Sequence, residues 1–473
     1  MTNTLTLSCP PEYFDMRELS ILEGLQRIRD ELKSLKQDRS TYIKSPDIIF
    51  LYDRTVEQVQ LLNDARIKNP KEQNQALSDA LEVDRMLDCC LQLLSLFFMT
   101  IGRNNEAPVA YALTSTVRCL LDHSIEADLH SSKVLAHISL TLERLREVVK
   151  TTCKSYTPKL IALLMSRIEI CQSLLTDLQG RLLKIHEDLR PVHEKLISIM
   201  QFLSSTNTRT NFPTLEIQQF QNQLVIIDDQ RIGGRFVGSN GKVLDGSEIV
   251  ETLLEKCHSW SQTALERLII KNCFRKGKIP EEFKPTYKTL LAIRDKLAKL
   301  SFTQAWSLRE ADLYDYQRKL DKIDGRRING NFLDADGNPA DLYVKRTFLY
   351  LIRRSYSYIY YLMVSSEPIS EGLLPIYNQL QTLRQRLTEV KNSGGVSSPR
   401  ELYPYNLKLQ CIESMRIDGK FFIENEIPEG QADVIELLEQ CYELKDELRL
   451  EIEENNTNSP SGRREINQRL CLY

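Results

Sequence analysis

A phrase that occurs three times limits what this chain can fold into. Arg231-Ile232-Gly233-Gly234-Arg235-Phe236 returns as Arg327-Ile328-Asn329-Gly330-Asn331-Phe332 and as Arg416-Ile417-Asp418-Gly419-Lys420-Phe421, with arginines 96 and 89 residues apart. Each copy has the same approach: an aromatic 11 residues before the arginine (Phe220, Tyr316, Tyr405) and a leucine 7 before it (Leu224, Leu320, Leu409). An isoleucine follows 4 before (Ile227, Ile323, Ile412) and an acid 3 before (Asp228, Asp324, Glu413). Steps of 4, 3 and 4 residues from aromatic to arginine keep one face of an α-helix. The phrase therefore reads as a helix end: glycine as a left-handed C′ residue, arginine complementing the helix dipole and pairing with the acid, and phenylalanine folding back as an apolar clamp.

A second pattern lies upstream. Leu196, Ile199 and Leu203 share their spacing with Leu290, Ile293 and Leu297, with Leu380, Leu383 and Leu387, and with Leu25, Ile28 and Leu32. In three of these places a proline stands five residues before the first leucine (Pro191, Pro285, Pro375), where it starts a helix without losing a hydrogen bond. The proline-to-arginine distances are 40, 42 and 41 residues, which points to one duplicated unit. Leu62 to Ile67 reads as a worn first copy, centred on Arg66. Third helices are expected near 76–101, 247–270, 340–364 and 430–454.

The predicted fold class is all-α: about four three-helix units of roughly 85–95 residues, in tandem, with a helical insertion. The expected order is a disordered N-terminus (1–14), a divergent first unit (15–105), a helical insertion or linking domain (106–186), a second unit (187–275), a third (276–365), a fourth (366–454) and a disordered tail (455–473).

Composition excludes more than it suggests. A net charge of −3 over 473 residues gives no electrostatic case for nucleic acid or an acidic membrane. The most apolar run, Leu91 to Ile101, is too short to cross a bilayer, which takes roughly 20 residues. No secretory signal pattern opens the chain. The 11 cysteines form no C-x-x-C pair, so buried, inert thiols in a reducing compartment are expected. No catalytic triad, P-loop, dinucleotide fingerprint or zinc-protease motif stands in a fitting context, so no enzymatic activity, cofactor or metal is expected. Asp334 to Asn338 starts like a calcium loop, but Pro339 and Lys345 stand where glycine and glutamate are needed, and a tight turn is expected. His123, His130 and His137 repeat every seven residues, with a polar break at Ser131-Ser132 that argues against one helix and one metal site.

Two groups of residues carry functional readings. The stretch from Phe348 to Met363 holds five tyrosines, with Leu349, Ile352, Tyr356, Ile359 and Met363 forming a core-facing stripe. Tyr350, Arg353, Arg354, Tyr360 and Tyr361 fall on other faces and read as a patch for a protein partner, since both residue types are enriched at binding hot spots. Alternatively, Arg231, Arg327 and Arg416 converge on a groove that binds an anion or an acidic peptide.

At Arg416-Ile-Asp-Gly-Lys-Phe-Phe422, at Glu429-Gly-Gln431, and at Glu371-Gly-Leu-Leu-Pro-Ile-Tyr377 upstream, the chain resembles an uncharacterised fungal protein family catalogued as having a domain of unknown function. That resemblance implies an intracellular protein, cytoplasmic and also nuclear, and supplies no catalytic residues. The expected function is a non-enzymatic helical scaffold or adaptor for a protein partner, with no nucleic acid or membrane involved. The alternative is a regulatory module that recognises an acidic or phosphorylated ligand through the repeated arginines.

Overall fold

The computed structural model describes residues 16–68, 77–206, 208, 214–238, 241–271, 279–303 and 308–458. These residues are all-α. Helices α1 (Met16–Gln37), α2 (Ser45–Lys68) and α3 (Leu77–Thr100) come first, followed by α4 (Val109–Ala127), α5 (Ser132–Thr151) and α6 (Pro158–Leu183). Next are α7 (Arg190–Thr206), α8 (Thr214–Asp228), α9 (Ser247–Lys271), α10 (Lys284–Thr303), α11 (Leu313–Asp324) and α12 (Leu342–Val364). Helices α13 (Leu374–Asn392), α14 (Tyr403–Glu413) and α15 (Gln431–Asn458) close the order. The N-terminal stretch 1–14 lies outside the described residues, as does the tail beyond 458, while residues 455–458 are the last turn of α15.

The periodic leucines and isoleucines of α1, α7, α10 and α13 are all buried. In each case that helix packs on the one two places later: α1 on α3, α7 on α9, α10 on α12, and α13 on α15. Three of these pairs share one polar contact. The thiols of Cys90, Cys257 and Cys441 point at the carbonyl oxygens of Leu25, Leu196 and Leu380, at 3.5, 3.6 and 3.4 Å. Those leucines hold the same place in the repeated pattern. Burial pushes the Cys90 and Cys257 thiols up to about 12 and that of Cys441 up to about 11, so they remain protonated and inert.

The repeated phrase departs from the sequence reading in one respect. Its helices stop at Asp228, Asp324 and Glu413, before the arginine, so the glycine is not a helix C′ residue. Instead Gly233-Gly234, Asn329-Gly330 and Asp418-Gly419 each have positive φ at both positions, the pattern of a type I′ two-residue hairpin turn. Ile232 bridges Arg235, Ile328 bridges Asn331, and Ile417 pairs with Lys420. This local pairing outranks the helix-end reading because it satisfies backbone groups on both sides of the turn. The clamp is present: Phe236, Phe332 and Phe421 are all buried. The turn at Asp334 is also present, its carboxylate accepting from the Asp336 and Asn338 amides at 3.0 and 2.7 Å.

Compact units do not follow the four-fold division. One comprises Met1–Val109, Trp306–Asp312 and Ser366–Tyr473, the other Ala110–Ala305 and Leu313–Ser365. The first and last helix triples therefore share a unit, whereas stacking in sequence order would set them furthest apart. Within this unit, Arg309 supplies a physical reason. Its guanidinium is 2% exposed and donates to the Leu35, Lys36, Asp38 and Thr41 carbonyls at the end of α1 and just beyond it. It also donates to the Glu371 carboxylate at 2.9 Å through Nε. One buried cation thus satisfies orphan helix-end carbonyls and a carboxylate more than 300 residues along the chain from them.

Next to it, Glu310 is buried and accepts from Ser366 Oγ at 2.7 Å, while the Ala311 amide donates to Thr100 Oγ1 at 3.2 Å. Burial pushes the Glu310 carboxyl up to about 7, against the hydrogen bond from Ser366. An unfolded chain ionises this group near the ordinary glutamate value, so its contribution to stability is complete below that value. The contribution is lost as pH rises through about 7, a change of about 3 kcal/mol. Urea unfolding from pH 4.5 to 7.5 should therefore show Glu310→Gln with a shallower loss of stability than the wild type; parallel curves would contradict this assignment.

Candidate functional site

Helix α12 is built from a sequence with four cations (Lys345, Arg346, Arg353, Arg354) and no carboxylate. Its apolar positions bury it on more than one side. Phe348 takes aromatic contacts from Phe283, Tyr287 and Phe332 at ring-centroid distances of 6.1, 6.4 and 5.1 Å. Ile352, Tyr356, Ile359 and Met363 of the expected stripe are buried, and Leu349 is part-buried. The Tyr356 hydroxyl donates to the Asp321 carboxylate on α11. Tyr360, expected on an exposed patch, belongs to the core instead. It is 1% exposed, and its hydroxyl lies 2.8 Å from both His137 Nδ1 and Thr141 Oγ1. Helix α5 covers that flank, a contact that α12's own periodicity does not show.

Two cavities lie along the remaining face of α12. The larger, about 390 Å³, is lined by all five residues of the sequence patch: Tyr350, Arg353, Arg354, Tyr360 and Tyr361. Its other walls come from the ends of α4 and α5 and from α7, and none of its lining residues is an aspartate or glutamate. Tyr360 forms the floor. Tyr361 is 43% exposed and forms part of the rim, its ring 5.2 Å from Tyr360 and 5.5 Å from His137. The second cavity, about 240 Å³, shares Leu129, Tyr350 and Arg353 with the first and adds Trp260, Lys345, Arg346 and Lys256.

The electrostatics of this face are one-sided. Among the described residues, Arg353 makes no hydrogen bond or ion pair through its guanidinium, although it is part-buried. Burial holds it below the usual arginine range, and Arg346 is held down for the same reason. Arg346 lies 5.6 Å from the Trp260 ring, Lys345 donates to Asn331 Oδ1 at 2.8 Å, and Arg354 stacks 4.5 Å from the Tyr358 ring. Among the described residues, no carboxylate pairs with any of the four. Two acids do line the second cavity, but each is engaged: Glu126 accepts from Arg327 through both oxygens at 2.8 Å, and Asp128 faces Lys256 at 3.4 Å. Burial lowers the pKa of His130, in the larger cavity, so it is neutral near pH 7 and leaves the positive charge to the arginines.

The repeated arginines are placed differently. Arg231 pairs with Asp228 and donates to the Gly234 carbonyl at 3.3 Å. Arg416 repeats that arrangement on Glu413 at 2.8 Å and the Gly419 carbonyl at 3.0 Å. Arg327 lies between Asp324 and Glu126, each at 2.8 Å. Each guanidinium is engaged where it stands. Of the three histidines, His123 faces Asp324 at 3.5 Å and His130 lies 6.1 Å from the His193 ring, while His137 meets Tyr360. Among the described residues no group of three potential metal ligands occurs, and no described helix is long and apolar enough to cross a membrane.

A CUB1 family protein of Schizosaccharomyces pombe is 35% identical over 458 residues, covering 96% of this chain and 97% of its own length. The chain belongs to the CUB1 family. A Saccharomyces cerevisiae relative, named Cu(2+) suppressing and bleomycin sensitive protein 1, is 32% identical over 524 residues, covering 96% of this chain and 93% of its own. The family model described as "Protein of unknown function (DUF2408)" matches residues 182–310 and 366–471, which includes the phrases that carried the sequence resemblance. Helix α12 falls between the two matched segments. No solved structure matches the chain.

Sequence reasoning singled out the patch but passed over Arg346 and Lys345, whose signal was the absence of any acid across α12. A cation desolvated without a counter-ion costs stability. Arg353→Met should therefore raise resistance to urea unfolding by about 1 kcal/mol, as substitutions that relieve functional strain do. A loss of similar size would show that Arg353 is structural.

Proposed function

We propose that this protein is a non-enzymatic helical adaptor whose cleft along α12 binds a protein partner. One observation carries the reading: all five tyrosines and arginines singled out as a partner patch line a single cavity. Aromatic and arginine side chains around a concave, partly desolvated site are the usual makings of a binding hot spot. Tyr361 at the rim offers a large contact area at low conformational cost, and the buried Tyr360 beneath it fixes its position. The packed core of α12 gives the cleft a rigid wall, as a preformed binding surface requires. We place the protein in the cytoplasm and the nucleus, as its family resemblance suggested.

The test is quantitative affinity purification from native cells, comparing wild type with an Arg353→Glu/Tyr361→Ala double variant of unchanged melting temperature. The double variant should lose a defined subset of co-purifying proteins by tenfold or more. An identical set of partners from both chains would overturn the reading.

A further inference from the structure

We propose that the cleft along α12 receives an extended protein segment carrying a phosphorylated serine or threonine, with Arg353 as the anchor for the phosphoryl group. This deepens the adaptor reading and rests on it.

Charge gives the first argument. Arg353 separates the two cavities and lines both, and among the described residues no carboxylate answers it. Arg354 is the next residue on the same helix, and Arg346 lies seven residues, about two turns, before Arg353. A single carboxylate brings one negative charge to this cluster. A phosphoryl group brings nearly two, with three acceptor oxygens, and matches the planar fork of an arginine. The larger cavity has no acidic lining residue to repel it.

Hydrogen-bonding capacity gives the second. The serines of the larger cavity already have partners: Ser124, Ser198, Ser205 and Ser357 donate to carbonyls of their own helices, and Ser131 donates to Glu194. The Tyr360 hydroxyl is engaged with His137 and Thr141. Among the described residues, the donors of the cavity with no internal acceptor include the side chains of His130, Gln201 and Tyr361 as well as the Arg353 guanidinium and the Tyr350 hydroxyl. Of these, Arg353 and Tyr350 belong to the wall that the two cavities share. Arg353 is the one cation among these donors, and it can offer a phosphoryl group both charge and paired N–H donors.

Shape gives the third. Cavity-lining positions on α12 run from Leu342 to Tyr361. At 1.5 Å per residue that is about 28 Å of helix, the length of about eight residues of extended chain. A free ion or small phosphate ester leaves most of this length uncovered.

The test probes the full chain with immobilised degenerate peptides in three matched pools, centred on phosphoserine/phosphothreonine, on serine/threonine, and on aspartate/glutamate. The phosphorylated pool should retain wild type at least tenfold better than the other two. Arg353→Gln should abolish that preference while melting no lower than wild type, and Leu140→Ser, on the exposed face of α5, should leave it intact. Millimolar inorganic phosphate should compete only weakly. Equal retention on all three pools, lost in Tyr361→Ala, overturns phosphoryl recognition and leaves the adaptor reading standing. No retention on any pool, or retention that Arg353→Gln does not alter, overturns the proposal. Mixed-sequence single-stranded DNA that displaces the chain more effectively than free phosphopeptide does likewise, in favour of nucleic acid.

Discussion

Burial of helix α12 is the interaction on which its compact unit depends. Phe348, Leu351, Ile352, Tyr356, Ile359 and Tyr360 are each 2% exposed or less. They meet α10, α11 and α5 through packing, an aromatic cluster and hydroxyl contacts to Asp321, His137 and Thr141. Burying a large aromatic or aliphatic side chain is worth on the order of 1.5–3 kcal/mol. Several such groups can therefore hold the helix in place even though its cations lose solvent without gaining carboxylates. The charged face is thus a property the core can carry, not one that the core requires.

Arg309 and Arg353 show two ways of burying an arginine. Arg309 is 2% exposed, and its donors reach four carbonyls and Glu371. Removing it would leave buried acceptors unpaired, which is the signature of a structural cation. Arg353 reaches no acceptor among the described residues and borders two cavities. Its removal strands nothing inside the fold. An unpaired, partly desolvated cation in a cleft is better explained by what enters the cleft than by what surrounds it.

Most of the helical architecture was legible in the sequence because it rests on local periodicity. The buried leucines at the same offsets in α1, α7, α10 and α13 and the helix-starting prolines were visible as spacing. So was the tight turn at Asp334. What was not legible depends on non-local contacts or on competition between local structures. The arginine phrase was read as a helix cap, because one glycine after a helix suggests a C′ residue. The paired positive φ at Asn329-Gly330 and Asp418-Gly419 makes it a hairpin. Tyr360 looked exposed because the periodicity of α12 cannot report that α5 covers its flank. The pairing of the first and last helix triples in one unit rests on non-local contacts, among them the Arg103–Glu429 ion pair and the bonds of Arg309, which carries no motif at all. At the candidate site the sequence supplied the residues, and the fold supplied the cavity and the lack of counter-ions.

On the adaptor reading, the α12 cleft is where this CUB1 family member meets its partner. Site-specific photo-crosslinking tests it most directly, with p-benzoylphenylalanine in place of Tyr361 at the cleft rim and, as a control, in place of Leu140, which is 66% exposed on α5. In native cells the Tyr361 position should crosslink to a partner segment that mass spectrometry shows to carry a phosphorylated serine or threonine, and the Leu140 position should not. Crosslinks of equal yield and identity from both positions, or none from Tyr361, would contradict the account.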